Sequence, residues 1–354
     1  MHVMSIVGTR PQLVKLAPIS WSIQGKIPHK ILHTGQHYDP LLFESFMKEL
    51  KIPDPDFQLQ VGSGSHGLQT GKMLSEIEKV LIVSKPDHVI VYGDTNTTLA
   101  GAIAASKLHI PISHIEAGLR SFNRKMPEEI NRVLTDHCSN LLFAPTENAM
   151  SNLEMEGLND IAYLSGDVMV ETLNYAKTRV TGDVSPKSYL VATIHRAENT
   201  DDKERLSLII TRMRQSPVPI HLHCHPRLEK NLKEFNLNSD SENLKLFPPL
   251  DYFSLIAKIL NACGVITDSG GLQKESYILD IPCLVVRAES EWIETTLGGW
   301  VGGGNLLDPE LQEINKEWWS KKMNRKKSSI FGDGTASTKI VSKIIEYIES
   351  SESK

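Results

Sequence analysis

Short runs of Val, Ile and Leu, each closed by turn-forming residues, alternate with longer amphipathic segments along most of this chain. The runs lack the polar alternation of a strand with one wet face. Such strands are buried on both sides, which parallel sheets achieve by carrying helices on both faces. The fold class is therefore α/β, with doubly wound parallel sheets. Strands are expected at residues 2–7, 31–34, 88–92, 112–115 and 141–144, with helices between them such as residues 71–83. After a looser stretch at residues 182–188 the pattern restarts, with strands at 189–194, 220–223, 244–247, 264–267 and 283–286. Two similar sheets in tandem predict a cleft between them. The length of 354 residues agrees, at about 150 residues per domain. The expected division is a first domain over 1–170, a second over 171–335, and a terminal segment over 336–354. In that segment Ile340, Val341, Ile344, Ile345 and Ile348 recur at helical spacing, giving a packing helix able to return to the first domain. The basic run at 321–327 reads as a solvated face or loop.

Composition narrows the function classes. Lys and Arg number 38 against 43 Asp and Glu, a net charge of −5, which argues against an electrostatic nucleic-acid binder. No apolar run reaches the roughly 18 residues of a membrane span. The opening residues are interrupted by Gly8, Pro11 and Lys15 and read as neither a signal nor a transit peptide. Cys138, Cys224, Cys263 and Cys283 lie far apart without a CxxC pair, as for reduced thiols rather than a disulfide frame or zinc knuckle. A cytoplasmic protein is expected.

Open α/β sheets place ligands at the carboxyl ends of their strands, and there the chain carries unusual polar residues. The first strand runs into Gly8-Thr9-Arg10-Pro11, bringing Arg10 and Lys15 to a helix start. The third ends in GDTNTTLAG, so Asp94 leaves an apolar strand, either as a helix cap or as a chemical group. Glu116 follows the fourth run in HIEAGLRSF, with Arg120 after it, and a carboxylate there is costly unless paired or used. Pro127 then opens a helix whose first turn holds Glu128 and Glu129, with Arg132 one turn on; first-turn acids also suit the helix dipole. Asp94, Glu116 and Glu128 are expected to share one rim, where neighbouring carboxylates divide acid and base work. In the second half, Ser269, Gly270 and Gly271 at a helix start offer backbone N–H groups to a phosphate, and Glu275 follows within reach of a ribose. His195, beside Arg196 and Glu198, ends the first strand of that half.

Two other patterns are set aside. The run Gly62 to Gly67 matches GxGxxG but sits off the first βα unit, so it reads as a surface connection rather than a nicotinamide site. His221, His223 and His225 alternate along a strand without an evident fourth ligand, so no metal is expected.

Taken in order, GTRPQLVK, TGQH, GDTNTTLAG, HIEAGLRSF, MPEEINR, APTE, the GD at Gly166-Asp167, HRAEN, HPR, TDSGGLQKE and FGDGTAS resemble the non-hydrolysing UDP-N-acetylglucosamine 2-epimerases over nearly the whole chain. The resemblance implies two Rossmann-like domains in the GT-B arrangement, an active site in the cleft between them, and usually a homodimer. Thr95 agrees with the reversible enzymes. It also implies UDP at Ser269, Gly270 and Gly271, with Glu275 on the ribose and Arg10 near the nucleotide. Proton work would fall to Asp94, Glu116 and Glu128, with Lys15, Arg132 and His195 assisting. The implied reaction removes the C2 proton, expels UDP by anti elimination and adds it back, and needs no cofactor. Residues 287–294 read RAESEWIE where R-D-x-T-E-R-P-E is usual. That form resembles the branch acting on UDP-2,3-diacetamido-2,3-dideoxy-glucuronate, as does the variant at Gln36 to Asp39, a region that belongs to the family's regulatory second site. The expected substrate is UDP-N-acetylglucosamine, with the diacetamido uronate as alternative. A GT-B glycosyltransferase and an inactive nucleotide-sugar-binding module are the rivals of other classes.

Overall fold

The strand β1 (Val3–Val7) is buried at every position, as its VMSIV sequence requires, and the first sheet is built outward from it. With β2 (His29–His33), β3 (Phe57–Gln58), β4 (His88–Tyr92), β5 (Ile112–Ile115), β6 (Leu141–Ala144) and β7 (Ala162–Leu164) it forms a seven-stranded sheet in the order β3-β2-β1-β4-β5-β6-β7. Every pairing is parallel. The computed structural model describes residues 1–36, 40–180, 188–237, 241–287, 292–295 and 329–352. Connections in this half run through α1 (Arg10–Ile23), α2 (Pro40–Glu49), α3 (His66–Ser84), α4 (Asn96–Lys107), α5 (Pro127–Cys138), α6 (Glu147–Met155) and α7 (Met169–Arg179). Thr95 caps α4 by accepting from the Thr98 amide, and the alanines of α4 let it lie close over β1 and β4. Met4, Ile6, Val89 and Val91 pack there against Met73 and Ile77 of α3.

The second sheet contains β8 (Leu190–Thr193), β9 (Ile220–His223), β10 (Leu244–Phe247), β11 (Gly264–Thr267) and β12 (Cys283–Val285), parallel throughout in the order β10-β9-β8-β11-β12. Among the described residues its helices are α8 (Ala197–Thr200), α9 (Lys203–Arg214), α10 (Pro226–Glu234), α11 (Tyr252–Leu260) and α12 (Gly270–Ile278). Leu190, Ala192, Ile220 and Leu222 face Leu206, Ile209 and Leu228 from α9 and α10. Among the described residues no helix is long and apolar enough to cross a membrane.

One unit comprises Met1–Asn174 and Ser329–Lys354, the other Tyr175–Ser328. The first unit's main segment ends inside α7, whose Thr172 hydroxyl bonds the Val14 carbonyl at 2.7 Å. The last helix, α13 (Ala336–Glu352), lies within the first unit, buries Ile340, Val341, Ile344 and Ile348, and packs on α1. Its start is fixed by Glu171, which accepts from both the amide and the hydroxyl of Ser337. Just before α13 the two late glycine motifs meet. Gly166 has φ +81°, and a Cβ there would stand 3.2 Å from the Gly332 Cα, while the Asp167 amide donates to the Phe331 carbonyl at 2.9 Å. Ile344→Ala is expected to cost about 2–5 kcal/mol of unfolding free energy in urea titrations, whereas Glu346→Ala on the exposed face should cost under about 0.5 kcal/mol. Near-equal costs would mean that α13 is not part of the first unit's core.

Strands β3 and β7 were not anticipated, because two- and three-residue edge strands are too short to show a period. The helix expected from residue 71 begins at His66. The glycines of HGLQTG read as loop, but the Gln69 amide donates to the Gly62 carbonyl and accepts from Asn96, which holds that first turn. The Gly62 to Gly67 run leads from an edge strand into α3, away from the central βα unit. The readings at residues 37–39, 182–187, 288–291 and 321–327 lie outside the described residues.

Candidate active site

In the first sheet the strand order reverses direction between β1 and β4, and a doubly wound sheet opens its binding crevice at that point. Gln12 of α1 ties the two strand ends together. Its Oε1 accepts from the Gly8 and Thr9 amides, and its Nε2 donates to the Tyr92 carbonyl at 3.0 Å and to Thr98. Gln12 was not foreseen, since nothing in its local sequence marks it. Lys15, one turn along α1, is buried and its Nζ stands 3.0 Å from Oε1 of Glu116, which follows β5. The intervening position is Gly93, with φ +64°. A Cβ there would lie 3.3 Å from the Lys15 Nζ and 3.5 Å from the Glu116 Oε1, in the space where the two meet. Glu116 itself has φ +74°, in a region that costs a non-glycine residue about 1–3 kcal/mol. Its amide and that of Ala117 both donate to the Phe143 carbonyl and hold that conformation.

Asp94 follows β4 and its side chain is 29% exposed. It is not a helix cap, since Thr95 has that role. Its carboxylate meets Arg132 Nη2 at 2.6 Å, and Asn131 donates to its carbonyl at 2.9 Å. Arg132 is buried on α5 and also bonds Glu129 at 2.9 Å. Glu129 in turn accepts from the Ser121 amide and hydroxyl and from the Phe122 amide, so it clamps the loop before α5. Glu128 is exposed one turn ahead of Arg132 on the same side of α5. Among the described residues no hydrogen bond or ion pair involves it. Arg10 is exposed at the start of α1, its guanidinium 5.2 Å from the Phe46 ring centre.

The second sheet reverses between β8 and β11, and the two strand ends there carry His195 and Asp268. Asp268 is fully buried and accepts from the His195 and Arg196 amides, from Asn199 at 2.9 Å and from His195 Nδ1 at 3.0 Å. Burial pushes its carboxyl upward, but these hydrogen bonds outweigh burial and hold it below the usual carboxylate range. With Nδ1 on Asp268, the ring of His195, 44% exposed, presents Nε2 outward. Asp268 was passed over in the sequence although it carries the signal that singled out Asp94, an acid leaving an apolar strand. Ser269 caps α12 by accepting from the Leu272 amide, with Gly270 and Gly271 in the first turn and Glu275 buried further along. The α12 N-terminus follows Asp268 directly, and a helix N-terminus leaves its first-turn amides without helix partners, as an anion requires.

The histidines of β9 pack as rings. His221 stacks on Tyr189 at 4.3 Å, and His223 donates Nδ1–H to the Pro248 carbonyl at 2.8 Å; His225 instead caps α10 by accepting from the Arg227 amide. Among the described residues no cluster of His, Cys, Asp or Glu is arranged to hold a metal ion. The four cysteines are free thiols, and burial pushes Cys224 up to about 11 and Cys283 up to about 12.

The family model described as UDP-N-acetylglucosamine 2-epimerase matches residues 22–345. A Methanococcus maripaludis protein named UDP-N-acetylglucosamine 2-epimerase homolog is 48% identical over 96% of this chain and 98% of its own length. The UDP-2,3-diacetamido-2,3-dideoxy-D-glucuronate 2-epimerase of Pseudomonas aeruginosa is 41% identical over 98% of this chain and 99% of its own. The crystal structure of the UDP-GlcNAc 2-epimerase of Methanocaldococcus jannaschii, in complex with UDP-GlcNAc and UDP, superposes with a TM-score of 0.85 at 42% identity, covering 98% of this chain and all of that one.

Proposed function

Because the chain belongs to the UDP-N-acetylglucosamine 2-epimerase family, we propose that it reversibly inverts C2 of UDP-N-acetylglucosamine to give UDP-N-acetylmannosamine. The observation that carries this reading is the pair of cation-held carboxylates, Glu116 on Lys15 and Asp94 on Arg132, at the switch point of the first sheet. In the proposed reaction a carboxylate takes the C2 proton. The electrons of that C–H bond form a C1–C2 double bond, and the C1–O bond breaks to release UDP, leaving 2-acetamidoglucal. UDP then attacks C1 again while a proton is delivered to C2 from the opposite face. Two-faced proton transfer needs more than one carboxyl group, and Asp94, Glu116 and the untethered Glu128 supply three. The C–O bond is broken and remade without net oxidation, so the residues need only move protons and stabilise the departing diphosphate.

On the second unit, the amides at Ser269, Gly270 and Gly271 would bind that diphosphate, with Glu275 on the ribose and His195 Nε2, oriented through Asp268, donating to a phosphate oxygen. We also propose that Arg10 contributes a positive charge to nucleotide binding. A homodimer in the cytoplasm, making a mannosamine-type donor for surface polysaccharide, completes the proposal.

A second substrate has a specific observation behind it, the Pseudomonas aeruginosa relative at 41% identity. The same carboxylates would act at C2 of the diacetamido uronate. Proton NMR in heavy water, with chelator and without added nicotinamide, tests both. Deuterium entering C2 of UDP-N-acetylglucosamine, with the manno epimer appearing, is the expected result. Exchange only in the diacetamido uronate would transfer the activity to that substrate. No exchange in either would overturn the epimerase and leave a glycosyltransferase or binding module.

A further inference from the structure

Behind the two carboxylate turns, β5 and α5 are joined by a buried chain of ionisable groups that the proposed reaction does not use. His114, two residues before Glu116, is fully buried. Its Nε2 lies 2.7 Å from the Gly93 carbonyl, and its Nδ1 lies 2.6 Å from Oδ1 of Asp136 on α5. A carbonyl oxygen only accepts, so Nε2 donates to it, while Nδ1 faces the Asp136 carboxylate. Asp136 also accepts from the Gly118 amide at 3.1 Å and from Arg120 at 2.7 Å. Arg120 then grips Glu156 through Nε and Nη2, each at 2.7 Å, and Glu156 reaches the surface.

The inner half of this chain touches the two backbone segments that present the carboxylates. Gly93 precedes Asp94, and Gly118 follows Glu116 by two residues. Gly93 and Gly118 have positive φ, at +64° and +80°, which glycine adopts freely, whereas Glu116 at +74° is strained, so the Glu116 turn depends on contacts to stay in place. Asp136 lies one turn after Arg132 on α5, so a single helix face holds the Asp94 side chain and, through His114, the carbonyl just before it. Burying ions is costly compared with apolar packing, which is consistent with a role in orientation rather than in stability alone.

We propose that His114 and Asp136 are positioning residues for Asp94 and Glu116, while Arg120 and Glu156 only anchor the dyad. The assignment rests on the epimerase reading. Its test compares His114→Gln, Asp136→Asn and the outer Glu156→Gln with the wild-type full chain, on whichever UDP-sugar the wild type epimerises. Turnover, KM, C2 deuterium exchange, UDP affinity and thermal unfolding are measured for each. His114→Gln and Asp136→Asn should lower kcat and C2 exchange about 10- to 100-fold, the scale of a slightly misplaced catalytic group, with KM and UDP affinity within about twofold. Glu156→Gln should lower the melting temperature with kcat within about twofold. If Asp136→Asn does not fold, His114→Gln decides, because it leaves the Asp136 contacts to Gly118 and Arg120 in place. Unchanged kcat in the inner variants of an active wild type, or an equal loss in Glu156→Gln, would overturn the positioning role alone. A wild type inactive on both UDP-sugars would overturn the epimerase reading and this assignment with it.

Discussion

Glu116→Gln is expected to lower epimerase turnover at least about a hundredfold while UDP binds as before. The amide matches the carboxylate in size but neither accepts nor returns a proton at C2. Its partner Lys15, buried 3.0 Å away, would keep its ammonium without a counter-charge from Glu116, so some loss of stability should accompany the loss of activity. UDP affinity isolates the chemical effect, because Glu116 is not among the proposed nucleotide contacts. Calorimetric UDP binding and C2 exchange on the same preparation make the comparison. Near wild-type turnover in a folded variant would remove Glu116 from the proton chemistry. A parallel fall in UDP affinity would instead assign Glu116 to binding.

The second large effect is on stability in mild acid. His33 and His88 are buried in the first sheet, and burial lowers them to about 4 and about 3. His88 Nε2 meets the Ser113 hydroxyl at 2.7 Å, and His33 lies against the Phe43 ring, so both occupy places suited to the neutral ring. In the unfolded chain each returns to about 6.5. The folded values are depressed, so the stability they contribute is present above pH 6.5 and is lost as pH falls toward 4. Near pH 5 these two rings leave the unfolded chain with almost two more bound protons than the folded one, a slope of about 2.5 kcal/mol per pH unit, and His29, which burial also lowers to about 4, adds to it in the same sense. Asp136 and Asp268 add a loss of the same sign at lower pH, since each is held below its ordinary value despite burial. Glu171 works in the opposite sense, because burial raises its carboxyl and its contribution is lost as pH rises through that value. Urea unfolding from pH 7.5 to 5 measures the slope, and His88→Gln should remove about a third of the part that these three histidines contribute. A flat profile would mean that these rings are protonated in the folded chain.

The strands and the groups at their ends were legible because both are local properties. An apolar run announces a strand, and the residue after it is at a carboxyl end whatever the sheet order. Asp94, Glu116, His195 and Ser269 were found in that way, and the ordered motifs pointed to the family. Asp268 obeyed the same rule and was overlooked within a motif read for its glycines. Gln12, His114 and Asp136 were beyond such reading, because their partners lie on other strands and helices.

The first turn of α5 shows the limit most clearly. Glu128 and Glu129 are chemically identical neighbours, and sequence alone chose the first of them for the rim. Only the rotation of α5 against β4 and β5 decided that Glu129 turns inward onto Arg132 and the loop amides, while Glu128 faces solvent. The sequence by itself determined two parallel α/β sheets, their strand ends and a family, because hydrophobic period and chain neighbours act over a few residues. The tertiary structure decided which cation holds which carboxylate and which backbone turns are braced from behind, because those distances depend on strand order and helix rotation, which no short window of sequence contains.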